Sequence, residues 1–330
     1  MAVLHLLEQG ATARLRAGRI CVELDGHALG EVPARKVRQV ALHGNVRLTT
    51  PALQFFLGNG VPVLYVSLKG ALHGVASSCA LAPPARLRAQ FAAATSAVGA
   101  GIAQLFVLAK LRSSLAVLTA FRRTRPELAA AAAQLHALGG KVAACTELER
   151  LRGFEGLCAR LYYAALQRPL AAYGFTGRNR RPPRDPVNAA LSYGYALLLA
   201  QVQLATLSAG LHPEVGLLHA ESRRNPAMSL DLMEEFRVPV VDLTVFRAFL
   251  SGALHPTQHF RDEAGGIYLS DAGRKVLVPL LEARLDAEAK PPEGGACPYR
   301  TLIERQARRL AAALEGRRPY SPFYLSARPT

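Results

Sequence analysis

Cys79-Ala-Leu-Ala-Pro-Pro-Ala-Arg-Leu-Arg88 divides this 330-residue chain. Its Pro83-Pro84 pair has the composition of a linker, and the character of the sequence changes across it. Before it, residues 1–78 read as β-rich. Thr12 to Leu24 alternates and runs into Asp25-Gly26, a hairpin turn signal. Val37 to Leu42 and Val61 to Ser67 are short β-branched runs. Between them, Thr49-Thr50-Pro51 opens a helix that should stop near Gly58-Asn59-Gly60. After Lys69-Gly70 a last strand is expected to about Ser78.

Beyond the linker the pattern is helical. Arg86 to Ser114 is Ala-rich, with candidate breaks at Gly99 and Gly101, and Pro126 to Leu138 ends at Gly139-Gly140. Thr146 and Glu149 have capping-box spacing. Asp185-Pro186 opens a helix that Gly210 closes. Leu243 to Leu254, Ala272 to Glu288 and Tyr299 to Glu315 complete the set. The expected architecture is α+β: a small β domain over 1–78, a linker over 79–88, and an all-α domain over 89–330.

Two uncharged stretches, Phe91 to Ala109 and Pro186 to Pro213, are long enough to cross a bilayer. They lack the dense Leu/Ile/Phe content of such spans, and read instead as buried central helices. Five widely spaced cysteines without a CxxC pair suggest neither a zinc site nor a disulfide framework. A reducing cytoplasm fits them, and the N-terminus has no signal-peptide pattern.

The net charge of +16 commonly reflects a polyanionic partner, because each Lys or Arg facing a phosphate releases a counterion. A GC-rich, Arg-heavy proteome accounts for part of that surplus. Arg178, Arg180, Arg181 and Arg184 crowd one Gly/Pro loop, and Arg122, Arg123 and Arg125 make a second cluster. Arg223-Arg224 lie between His219 and an acidic pair, where guanidinium groups suit phosphate gripping.

That pair is Asp231 and Glu234, three residues apart among Leu230, Leu232, Met233 and Phe236. They share a helix face, and carboxylates among apolar residues need a partner. Glu235 reads as solvent-facing or paired with Arg237. Upstream, Leu148, Leu151, Cys158 and Tyr162 fall on one helical stripe with Glu155 in its middle. Gly153 and Gly156 flank it, a costly choice inside a helix unless something approaches the backbone. Each residue alone has a plain structural reading: Glu155 paired with Arg152 or Arg160, His219 in a packed loop, Asp231 facing a helix dipole. Together, two carboxylates and an imidazole suit Mn²⁺ or Mg²⁺.

Three segments resemble the CRISPR-associated integrase family, the metal-dependent nuclease subunit of the spacer-acquisition complex. They are Arg152-Gly-Phe-Glu155-Gly-Leu-Cys-Ala-Arg-Leu-Tyr-Tyr163, Gly210-Leu-His-Pro-Glu-Val-Gly-Leu-Leu-His219 and Ser229-Leu-Asp-Leu-Met-Glu234-Glu-Phe-Arg-Val-Pro-Val-Val-Asp242. The resemblance covers essentially the whole chain. It implies Glu155, His219 and Glu234 as catalytic metal ligands, with Asp231 as a nearby second carboxylate. It further implies Mg²⁺ or Mn²⁺, double-stranded and branched DNA as substrate, and a homodimer formed through the β domains. A small ferredoxin-like partner subunit and insertion of foreign DNA into a repeat array complete the expectation. Many relatives carry Gly-Arg after the histidine where this chain reads Arg224-Asn225-Pro226. Two other readings remain at this stage: a stand-alone nuclease for branched DNA, and a non-catalytic DNA-binding scaffold.

Overall fold

The computed structural model describes residues 2–78, 82–121, 125–179, 182–221 and 225–326. The chain forms two compact units, Met1–Ala80 and Leu81–Thr330.

The first unit holds two four-stranded sheets. One has the order β1 (Ala2–Leu6), β5 (Val37–His43), β7 (Val63–Val66), β8 (Leu72–Ala76), parallel except where β8 returns antiparallel to β7. The other runs β4 (His27–Pro33), β3 (Arg19–Leu24), β2 (Thr12–Arg16), β6 (Arg47–Leu48). The alternating segment Thr12 to Leu24 is therefore two strands and not one. It folds back at Ala17-Gly18, and Asp25-Gly26 makes the next turn, all four at positive φ. Helix α1 (Thr50–Gly58) carries Pro51 in its first turn and stops where expected, although Thr49 makes no side-chain cap. Leu6, Ile20, Val40, Leu42, Phe56 and Val63 fill the core between these elements.

The second unit is mostly helical. Helix α2 (Pro84–Ala94) begins inside the segment whose composition suggested a linker, because Pro84 occupies the first turn, where its missing N–H costs nothing. The break before α3 (Ala97–Phe121) falls at Thr95-Ser96, not at a glycine. Gly99 instead permits close packing, since a Cβ there would lie 2.0 Å from the Ala93 carbonyl oxygen. Helix α4 (Ala129–Ala143) runs straight through Gly139-Gly140. Helix α5 (Leu148–Leu166) starts from Glu147, and no capping box forms.

Helix α6 (Pro186–Ser208) is capped as expected: Asp185 accepts a hydrogen bond from the Asn188 N–H at 2.8 Å. Helices α3 and α6 are long and apolar enough to cross a membrane, yet 67% and 61% of their most apolar windows are buried inside the fold. They are its central helices. Around them lie α7 (Ala227–Met233), a π-helical turn over Arg237–Asp242, α8 (Leu243–Leu250), the short α9 (Pro256–His259), α10 (Asp271–Asp286) and α11 (Tyr299–Leu314). The unit is not purely helical. Strands β9 (Phe260–Glu263) and β10 (Gly266–Leu269) pair across an Ala264-Gly265 turn at positive φ.

Candidate metal centre

His219 ends a loop that leaves α6, and that loop is pinned on both sides. Gln90 of α2 donates to the His212 and Val215 carbonyls at 2.9 and 2.8 Å and accepts from the His212 N–H at 2.8 Å. On the other side, the fully buried Asp231 carboxylate accepts from three successive backbone amides, Leu217, Leu218 and His219, at 2.5, 2.9 and 2.9 Å. Gly216 makes this possible, because a Cβ there would lie 2.8 Å from Ala227 Cβ and 3.0 Å from Asp231 Oδ2. The same carboxylate holds His219 Nδ1 at 2.6 Å. Both Asp231 oxygens are thereby engaged, and Nε2 of the imidazole is turned toward Glu234 Oε1, 3.9 Å away.

Glu234 follows α7 as its C-cap residue and is buried. Its Oε1 lies 2.8 Å from Arg237 Nε and its Oε2 lies 2.7 Å from Lys110 Nζ. Burial alone would raise its pKa; Arg237, Lys110 and His219 outweigh that and hold it down at about 2. Glu155 reaches the same point from α5, and Lys110, from the middle of α3, donates to it as well. Neither Arg152 nor Arg160 is the partner the sequence suggested. Arg152 binds Glu149 and the Leu218 carbonyl.

Among the described residues no group of three His, Cys, Asp or Glu stands ready to hold a metal ion. The arrangement shows why: an ammonium lies between the two carboxylates. The donor chemistry nevertheless fits a divalent cation. Glu234 Oε2 is buried, and its partner there is a cation, Lys110 Nζ at 2.7 Å. His219 has its far nitrogen fixed by a carboxylate, the usual arrangement behind a metal-binding imidazole. Two carboxylates and one imidazole suit Mn²⁺ or Mg²⁺. Solvent reaches the site from one side, where the Glu155 and His219 side chains are 23% and 28% exposed. Despite the competing cost of burial, Asp231 and Glu234 raise the pKa of His219 above its ordinary value.

The sequence reasoning missed Lys110, and the signal was there. It is the first charge after the uncharged run Phe91 to Ala109, in the interior of a central helix. It also missed a buried set behind Arg237. Tyr195 donates to Asp242, and its hydroxyl lies 2.5 Å from that of Tyr163. The Arg237 guanidinium sits 5.1 Å from the Tyr195 ring centroid. Burial raises the Asp242 pKa to about 6.

Glu235 is neither solvent-facing nor paired with Arg237. It is fully buried and accepts from Tyr320, from Gln306 Nε2 at 2.8 Å and from the Phe323 N–H at 2.8 Å. It thus ties the chain after α11 to α7. Gly153 and Gly156 have nothing within 4 Å of an added Cβ, so no part of the chain explains their cost.

Of the loop arginines, Arg178 spends its donors internally, on the Asn179 carbonyl, Asn188 Oδ1 and Ser192 Oγ. Arg184 is exposed. Arg180, Arg181, Arg223 and Arg224 lie outside the described residues, as do Arg122 and Arg123.

Comparison with known proteins places the chain in a family. The family model for CRISPR associated protein Cas1 matches residues 4–283. The chain belongs to the Cas1 family. The CRISPR-associated endonuclease Cas1 1 of Thermus thermophilus is 55% identical over 322 residues, covering 98% of this chain and 99% of that relative. Among solved structures, a casposase bound to integration product superposes with a TM-score of 0.84 at 23% identity, covering 100% of this chain and 94% of the other. A Cas6-RT-Cas1–Cas2 complex contains a chain that superposes with a TM-score of 0.80 at 24% identity, covering all of this chain and 36% of that one. At such identities these two structures demonstrate a shared fold: the Cas1 fold, with its β-rich N-terminal region and mostly helical remainder.

Proposed function

We propose that the chain is a divalent-metal-dependent DNA integrase with nuclease activity, with Glu155, His219 and Glu234 as metal ligands. The endonuclease and integrase class follows from the Cas1 family; the ligand set is a reading of the site. One observation carries it. Glu155 of α5 and Glu234 of α7 converge on a single cation beside an imidazole whose second nitrogen is locked.

Bound there, Mg²⁺ or Mn²⁺ would polarise a phosphoryl oxygen and steady the charge that builds during in-line displacement. The protein's own part is positioning. Asp231 holds Nδ1 and fixes the imidazole plane, leaving Nε2 turned toward the site. Arg237 holds Glu234 ionised and in one orientation. In strand transfer a 3′-hydroxyl attacks a phosphodiester, forming one P–O bond while the bond to the leaving 3′-oxygen breaks. With water as the nucleophile the same displacement is cleavage.

Asp231 is proposed as the residue that orients His219, not as a third ligand, because all its acceptor geometry is committed. The exposed Arg184, with Arg180, Arg181, Arg223 and Arg224, is proposed to grip double-stranded and branched DNA. The net charge supports this. The homodimer is assigned to the N-terminal unit, whose β4 is exposed along most of its length and presents Leu29 to solvent. A small ferredoxin-like subunit is the proposed assembly partner, as in the family the motifs resemble. The described cysteines, Cys21, Cys145, Cys158 and Cys297, are free thiols, which suits the cytoplasm.

The test is transfer of a short duplex into repeat-containing DNA, with Mn²⁺, Mg²⁺ or EDTA, and with and without the partner subunit. Metal-dependent insertion supports the proposal. Metal-dependent cleavage of branched DNA indifferent to the partner would favour a stand-alone nuclease, and DNA binding without either reaction would leave only a scaffold.

A further inference from the structure

We propose that Lys110 is a built-in counter-cation: it assembles the Glu155–Glu234 pair before a metal arrives and yields that place to the metal. The proposal rests on the metal-site reading above and deepens it.

The two carboxylates come from different helices, α5 and α7, and like charges brought to one buried point repel strongly. Lys110 resolves this from a third helix. Its Nζ contacts Glu155 Oε1 and lies 2.7 Å from Glu234 Oε2, so one ammonium joins α3, α5 and α7 at the site. Lys110 thereby supplies a positive charge that offsets the repulsion between the two carboxylates.

The manner of the contact suits displacement. Lys110 Nζ lies 2.7 Å from Glu234 Oε2, and a lysine head is a compact point charge on a flexible stem that can shift without moving its helix. Glu155 and His219 are partly exposed while Lys110 is buried, so solvent and ions meet the two ligand side chains more readily than the ammonium. The buried Asp242 carboxyl also lies within the electrostatic reach of Lys110. Such a lysine has two opposite effects. It stabilises the metal-free protein, and it lowers metal affinity, because part of the attraction of the carboxylates is already satisfied.

The experiment uses the full chain with Lys110→Met, Lys110→Gln and Lys110→Arg. Thermal unfolding is followed in EDTA and in Mn²⁺, and Mn²⁺ binding is titrated through the electron paramagnetic resonance signal of the free ion. Lys110→Met and Lys110→Gln are expected to lower Tm in EDTA and to regain most of that loss in saturating Mn²⁺. They should bind Mn²⁺ about tenfold more tightly than wild type, the scale of removing a nearby like charge. Lys110→Arg should keep the metal-free Tm and not tighten binding.

A role in packing alone predicts equal Tm loss in both conditions with unchanged affinity, and that result overturns the proposal. So does weaker binding in the neutral variants, or failure of both to fold even in Mn²⁺. Glu234→Gln separates the two levels. If wild-type protein shows no saturable Mn²⁺ binding, or if Glu234→Gln leaves it intact, the metal-site reading itself fails and the counter-cation falls with it.

Discussion

Glu234 and Glu235 are neighbours in sequence, both completely buried, and their environments are opposite. Glu234 lies between Lys110 and Arg237 and beside His219. Glu235 faces the chain beyond α11 and meets only hydrogen-bond donors: Tyr320, Gln306 and the Phe323 amide. Cations hold the first at about 2, while burial, only partly offset by those hydrogen bonds, lifts the second to about 7. Burial is the same in both cases; the partners differ. Cationic partners keep the first carboxylate ionised, the form a metal ligand needs. The second, satisfied by neutral donors, fastens two pieces of chain together.

The strongest way to break this contrast is to remove the site side. Glu155→Ala, His219→Ala and Glu234→Ala are each expected to lower Mn²⁺-dependent cleavage and strand transfer by about 10³-fold or more, the scale seen when a catalytic constellation loses a member. DNA affinity should change little, since phosphate contacts supply most of it. Cleavage by purified Glu155→Ala at the wild-type rate would remove that residue from the site.

The Glu235 side is tested through stability. A carboxyl whose folded pKa is raised binds its proton more tightly in the native state. Its contribution is therefore complete below its unfolded value of 4.5 and is lost as pH rises through about 7. Glu234 has the reverse sign: its contribution is present above 4.5 and lost as pH falls toward 2. The Glu235 difference amounts to about 3 kcal/mol across its window. Glu235→Gln keeps an acceptor for Gln306 and Phe323 and a donor for Tyr320, so it should remove this pH dependence without opening a cavity. Denaturant unfolding at pH 5 and pH 8 should show the variant gaining on wild type by about that amount at the higher pH. Parallel wild-type and variant curves would mean that Glu235 is not held neutral.

How much of this was legible in advance follows the range of the interactions. The β-then-helical division, α1 opening at Thr50-Pro51 and the Asp185 cap are local, set by turn chemistry and period, whereas the helix expected to bear both Asp231 and Glu234 ends at Met233. The signals that misled were local too. Thr146-x-x-Glu149 has capping-box spacing, but the helix starts from Glu147. Gly139-Gly140 looked like a stop, but α4 continues through it. Pairings across long separations left no such trace. Lys110 meets Glu155 and Glu234, and Glu235 meets Tyr320 across 85 residues. A buried acid beside an arginine in sequence invites a local pairing, and for Glu235 that inference gave the wrong partner. The proposed metal ligands rest on family motifs, which carry such distant pairings without explaining them.

Asp231 sharpens the contrast within the site, because it is a carboxylate committed to backbone amides rather than to cations. Asp231→Asn keeps the shape but cannot accept from three amides and also hold His219 Nδ1 in one tautomer. Metal affinity and activity should fall by about 10- to 100-fold, as when the partner behind a ligating histidine is lost. A loss as complete as that of Glu234→Ala would instead make Asp231 a ligand. Circular dichroism of the variant separates a misplaced imidazole from an unfolded loop.

The smallest expected effect belongs to the basic loop, where exposure separates Arg184 from Arg178. Arg178 is bound inside the fold by Asn188 and Ser192, whereas Arg184 stands in solvent with its charge available. If Arg184 faces a phosphate, Arg184→Gln should weaken binding evenly across DNA sequences and reduce the slope of log K against log salt by about one. Arg178→Gln should act differently, lowering stability through the lost hydrogen bonds while changing the salt slope less. Should Arg178→Gln alter the slope more than Arg184→Gln does, the loop must rearrange on DNA, freeing a guanidinium that the unbound fold keeps for itself.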